Sequence, residues 1–303
     1  MASDVQRRQD VLDGPGGLAS ANGSDQGRAM RYACLMVHLE IGRPNASVLQ
    51  VAATLAARHQ AAVVGMAVGR QLAPVYPDGY ADGDLFAQDL EDIERHIGVA
   101  AAEFRNALQA AGTVLEWRAS VQMGAQAARV VHELRSADLL ITRASSPDLL
   151  GTTRMADCAD LVVRAGRPVL VVPDALIDPR LDRIVVGWKD TREARRAVAD
   201  ALPLLRQAAH VTVVELARPD ALHAAQRRVA DVCAWLVRHG ITAEAVAQPA
   251  GEDDNLLNAF AEQRGADLIV AGAYGHSRLG EWIFGGATRD LMQRSSRCVL
   301  FSH

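Results

Sequence analysis

The chain has 303 residues, 50% of them hydrophobic and only 4% aromatic, with a formal net charge of −4. That length suits two modest cores, and the charge excludes the basic footprint of a nucleic-acid-backbone binder. No run reaches the roughly 18 apolar residues of a membrane-spanning helix.

Residues 1–29 are polar and rich in Gly, Ser, Asp and Gln, and they lack the apolar segment of a secretory signal. They read as a disordered tail, with Met30 standing before the first strand-like run as an alternative start. Five apolar runs follow, at 33–39, 61–67, 114–120, 138–143 and 168–172. Helical patterns separate them. One of these holds Asp89, Glu91, Asp92 and Glu94, whose acids suit a solvated helix face. A Pro/Gly/Tyr-rich insertion occupies the loop 70–84.

After a short joint at 175–180, five more runs follow at 183–188, 210–216, 242–248, 267–272 and 298–302. The second series repeats the first. Ala137-Asp138-Leu139-Leu140-Ile141 returns as Ala266-Asp267-Leu268-Ile269-Val270, and Arg167-Pro168-Val169-Leu170-Val171 returns as Arg297-Cys298-Val299-Leu300-Phe301. Nearly continuous apolar strands alternating with crossover-length helical segments predict α/β domains with doubly wound, mostly parallel five-stranded sheets, buried on both faces. The expected division is 30–174 for the first repeat, 175–180 for the linker and 181–303 for the second repeat. The widely spaced Cys34, Cys158, Cys233 and Cys298 read as small buried hydrophobes.

Ligands of doubly wound sheets bind beyond the carboxyl ends of the strands, where strand order reverses. The loop after the run 267–272 is suited to this. Gly272 and Gly275 let backbone amides come close to an anion, and His276 follows them. Gly285, Gly286 and Ala287 stand where the next helix opens, and Thr288 adds a hydroxyl in its first turn. Free N–H groups and a partial positive charge at such a helix start favour phosphate. At the end of the first strand of this repeat stand Lys189 and Asp190. The copy-one loop is different: Arg143 and Ser146 replace the first two glycines, which argues against a phosphate site there. The first strand of that repeat ends in His38 and Glu40, whose expected roles are packing or solvation. His276 and Ser277 have no third group to orient them, so no catalytic residue is assigned. Trp188 and Trp282 could flank a base or simply pack.

The spacing Gly272-x2-Gly275-x9-Gly285 resembles that of the ATP-binding universal stress proteins, and the resemblance covers residues 30–303. It implies a tandem pair of Rossmann-like domains packed as an intramolecular pseudo-dimer, with further homodimerisation open. It also implies a cytoplasmic protein that binds an adenine nucleotide, ATP with Mg²⁺, in the second repeat. In that family the last strand pairs across the dimer, and the two terminal strands here can pair within one chain. Two departures stand out. Gly286 occupies a position where the family carries Ser or Thr. Lys189 replaces the Asp that holds the ribose, leaving three alternatives: Lys189 meets a phosphate, Asp190 takes the ribose, or the pocket has lost its nucleotide. In the last case the protein is a regulatory scaffold acting through protein partners. An enzymatic role is at most a slow ATPase, since neither a water-positioning group nor a metal cage is recognisable.

Overall fold

The computed structural model describes residues 31–71, 83–144, 156–176, 179–250, 255–273, 288, 290–292 and 295–303. The tail 1–29 with Met30, most of the insertion in loop 70–84 and the copy-one loop 145–153 lie outside the described residues. These pack as two compact units. One holds residues 31–141 with 156 and 157; the other holds residues 142–144, which include the end of the fourth strand, and the described part of Cys158–His303. All ten apolar runs form strands.

In the first unit the strands are β1 (Cys34–Leu39), β2 (Ala62–Arg70), β3 (Leu115–Gln122) and β4 (Leu139–Arg143). They lie in the order β3-β2-β1-β4, with β1 and β2, β2 and β3, and β1 and β4 all parallel. The helices α1 (Ala46–His59), α2 (Gly83–Leu108) and α3 (Gln126–Glu133) pack onto them. Leu35, Met36 and Val37 of β1 are wholly buried, as a strand covered on both faces requires. The acidic run expected on a helix falls within α2.

Asn45 fixes the turn after β1. Its side chain accepts from the Glu40 amide at 3.0 Å and donates to the Glu40 carbonyl at 3.1 Å and to Glu103 at 3.0 Å. His38 and Glu40 are both buried here, so packing decides their role. Burial lowers the His38 pKa to about 4, which keeps the ring neutral.

The second unit contains β6 (Arg183–Gly187), β7 (His210–Ala217), β8 (Glu244–Pro249), β9 (Leu268–Gly272) and β10 (Cys298–Ser302), joined by β5 (Val169–Val172). Their order is β5-β10-β9-β6-β7-β8. Every pair is parallel except β5 and β10, which run antiparallel with Leu170 opposite Leu300. The expected pairing of the two terminal strands is therefore present inside one chain. Both strands are fully buried, and each supplies the ladder partner that the other's apolar edge requires.

The helices of this unit are α4 (Cys158–Arg164), α5 (Arg192–Leu205), α6 (Leu222–Arg238) and α7 (Leu256–Gln263). Helix α5 packs on β9 and β10, and α6 on β7 and β8. Ser302 ties β10 to α5 by donating to Asp200 at 2.9 Å. Cys158, Cys233 and Cys298 are buried and Cys34 is half-buried. Burial, helped by the Asp267 carboxylate, pushes the Cys298 thiol up to about 12, which suits a packing role.

Candidate functional site

The order β8-β7-β6-β9-β10 reverses direction between β6 and β9. These two strands lie side by side in parallel, with Gly187 opposite Ala271. The crevice outside their carboxyl ends is where a sheet of this kind takes a ligand. Two of the sequence-predicted residues, Gly272 and Lys189, stand at this switch point, with Asp190 one step further along.

Both strand ends are glycines, and in each case a neighbour uses the missing side chain. A Cβ on Gly272 would lie 2.5 Å from the Ala194 amide nitrogen and 2.6 Å from the Glu193 carbonyl carbon. The backbone of β9 thus abuts the first turn of α5 directly. A Cβ on Gly187 would lie 2.5 Å from a methyl of Leu257 on α7. The close approach that Gly272 permits is to a helix start.

The strand exit beyond Gly272 is held firmly. Ala273 is fully buried, and its amide donates to the Ser302 carbonyl at 2.9 Å. Gly275, His276, Gly285, Gly286 and Ala287 lie outside the described residues, as does Trp282. Thr288 is described, half-buried and helical. Two residues on, Asp290 is buried, and Asn258 donates to its carboxylate at 3.3 Å. That bond draws the carboxylate towards α7.

After β6 the chain makes a tight turn. The Trp188 amide donates to the Val214 carbonyl at 2.7 Å, and the Thr191 amide to the Lys189 carbonyl at 2.7 Å. Thr191 then caps α5, its hydroxyl accepting from the Ala194 amide at 3.3 Å. Lys189 is exposed. The Asp190 carboxylate accepts from Arg195 one turn into α5. Glu193 is buried beneath. Burial pushes its carboxyl up, but bonds from Arg192, its own amide and Thr191 outweigh this and hold it below the ordinary value.

A second concavity, of about 490 Å³, opens between α5 and α6 beside the same turn. Trp188 and Trp235 line it, as do Asp190 and Arg195. Sequence reasoning paired Trp188 with Trp282; the cleft pairs it with Trp235. No local motif announces that cleft, because it forms only where the turn after β6 meets two helices. Among the described residues, no group of His, Cys, Asp and Glu could hold a metal ion, and no helix is long and apolar enough to cross a membrane.

Residues 180–303 match the model of the universal stress protein family. Among solved structures, a universal stress protein from Archaeoglobus fulgidus DSM 4304 superposes with a TM-score of 0.67 at 12% identity, over 89% of this chain and 97% of that one. A functionally unknown protein from Pseudomonas aeruginosa PAO1 gives 0.58 at 14% identity, over 92% and 94%. A protein assigned to the universal stress proteins from Pseudomonas aeruginosa UCBPP-PA14 gives 0.57 at 16% identity, over 91% and 94%. These likenesses establish a fold shared along both halves of the chain. No curated protein matches it.

Proposed function

We propose, from a second half that is a universal stress protein domain, that this chain binds an adenine nucleotide, ATP with Mg²⁺, at the carboxyl ends of β6 and β9. The observation that carries the reading is the reversal of strand order between these strands, from one of which the glycine-rich loop departs. The inward turn of Asp290 supports it. A carboxylate engaged by Asn258 is less repulsive to a phosphate bound near Thr288. Thr288 and the loop glycines Gly275, Gly285 and Gly286 would face the phosphates, and Mg²⁺ would neutralise part of their charge. Lys189, exposed just beyond β6, would add a further positive charge. The role that follows is a nucleotide-dependent stress or regulatory protein of the cytoplasm, with the first repeat as its structural partner.

The test is isothermal titration of ATP and Mg²⁺ into the whole chain and into a Gly275→Val variant. One site per chain, lost in the variant, is expected. A variant that binds as well as the parent would remove the loop from the site.

A second reading has its own support. Asp190, the acid nearest the position that holds ribose in the family, is engaged by Arg195. On that reading the crevice takes no nucleotide and the protein is a scaffold for protein partners. No heat of ATP binding to a folded parent chain is its expected outcome.

A further inference from the structure

We propose that the cleft between α5 and α6 is a second binding site, separate from the crevice at β6 and β9, and that it takes a neutral, amino-substituted nitrogen heteroaromatic without a phosphate. Three observations on this cleft converge.

Its volume, about 490 Å³, is that of a small-molecule pocket. Half of its lining is apolar or aromatic: Trp188, Trp235, Val198 and Val232. Trp235 is itself braced by His239, with ring centroids 4.4 Å apart. Two indoles in one cleft favour a flat, π-rich occupant.

One unsatisfied donor and one exposed carboxylate define the polar pattern of that occupant. The Trp188 Nε1 atom is buried and has no hydrogen-bond partner. A buried donor of this kind is costly to leave unmade, and a ring nitrogen could accept from it once the indole turns towards the cleft. Asp231, on the solvent-exposed rim of the α6 wall, makes no hydrogen bond or ion pair among the described residues. An amino group could donate to its carboxylate.

Its charges argue against an anion. Both guanidiniums at the cleft are occupied. Arg195 bonds Asp190, and Arg228 donates from Nε to both carboxylate oxygens of Glu215, at 3.1 and 3.0 Å. The bond to Glu215 raises the Arg228 pKa, so the pair stays ionised. Asp231 is then the charge left unpaired, and a phosphate beside it would be repelled.

The experiment titrates 4-aminoquinazoline into the ¹⁵N-labelled full chain and follows the indole N–H signals, with that of Trp188 identified by its loss in Trp188→Phe. The probe carries a ring acceptor and an amino donor but neither ribose nor phosphate. The expected result is a saturable shift of the Trp188 and Trp235 signals. Asp231→Asn should weaken the probe about tenfold, and quinazoline lacking the amino group should bind equally to parent and variant. Gly275→Val should leave the titration unchanged, which separates this site from the nucleotide crevice. Trp188 and Trp235 signals that stay fixed up to the solubility limit of the probe would overturn the proposal. So would shifts of equal affinity in Asp231→Asn.

Discussion

Asp138 and Asp267 occupy equivalent points of the two repeats and clamp equivalent strands. Asp138 Oδ2 accepts from the amides of Ala33 (2.8 Å) and Cys34 (3.0 Å) at the start of β1. Asp267 Oδ2 accepts from those of Asp182 (3.1 Å) and Arg183 (2.9 Å) at the start of β6. Each carboxylate thus pins the first strand of its repeat to the fourth at their amino ends. Hydrogen bonds to a charged acceptor contribute roughly 1.5–3 kcal/mol each. Asp267→Ala should therefore lower unfolding stability by about 2–5 kcal/mol, and Asp267→Asn, which keeps an acceptor, by about half as much. Urea unfolding measures both, and a loss within about 0.5 kcal/mol of zero, as at an ordinary surface site, would refute the clamp.

Gly272→Ala probes the contact between β9 and α5. The added methyl would meet backbone, which cannot swing aside as a side chain can. A loss of about 2–4 kcal/mol is expected, with a lower melting temperature. Gly187→Ala should cost less, because the flexible Leu257 side chain is the group that must yield. Equal melting temperatures for the two variants would contradict this ranking.

The buried histidines give the fold an acid limit. Burial holds His38 to a pKa of about 4; burial, with the Arg58 and Arg31 charges, does the same for His59. Unfolded, each takes a proton near 6.5. Both pKa values are depressed by folding and the neutral ring is the favoured form. Stability from these groups is therefore full above pH 6.5 and is lost as the pH falls towards 4. For His38, a fall in pKa from 6.5 to about 4 corresponds to about 3 kcal/mol. Melting temperatures between pH 7 and 4 should fall for the parent chain and fall less for His38→Gln.

Deletion of residues 298–303 removes β10 and leaves the facing edges of two apolar strands, β5 and β9, without a partner. Self-association is the expected result, since such edges pair readily with other chains. Analytical ultracentrifugation reads the outcome, and a monodisperse truncated monomer would contradict the role given to this strand.

The strands and their mostly parallel pairing were legible because buried parallel strands write themselves as apolar runs, and because the repeat wrote them twice. The ends of elements were less so: β2 continues to Arg70, into the loop predicted from Pro and Gly content. Trp188, Lys189 and Asp190 stood out as neighbours in sequence, yet what each does is set by distant groups. Arg195 engages Asp190 because the capped turn at Thr191 brings the first turn of α5 back over it. Gly272 could be read as a point of close approach, but not what approaches it, since Ala194 lies on another element. The α5–α6 cleft left no trace in the sequence, because its lining comes from a turn and two helices that meet only on folding.

The strand β5 closes the first repeat in sequence and completes the second unit in space. A recombination event at the joint 175–180 would pass on a second half lacking the strand that covers β10. Any new partner gene would then have to supply an apolar strand of the right register. The two halves are in this sense tied: they can diverge in their loops, but the second keeps the edge of β10 covered only with β5 or a substitute for it.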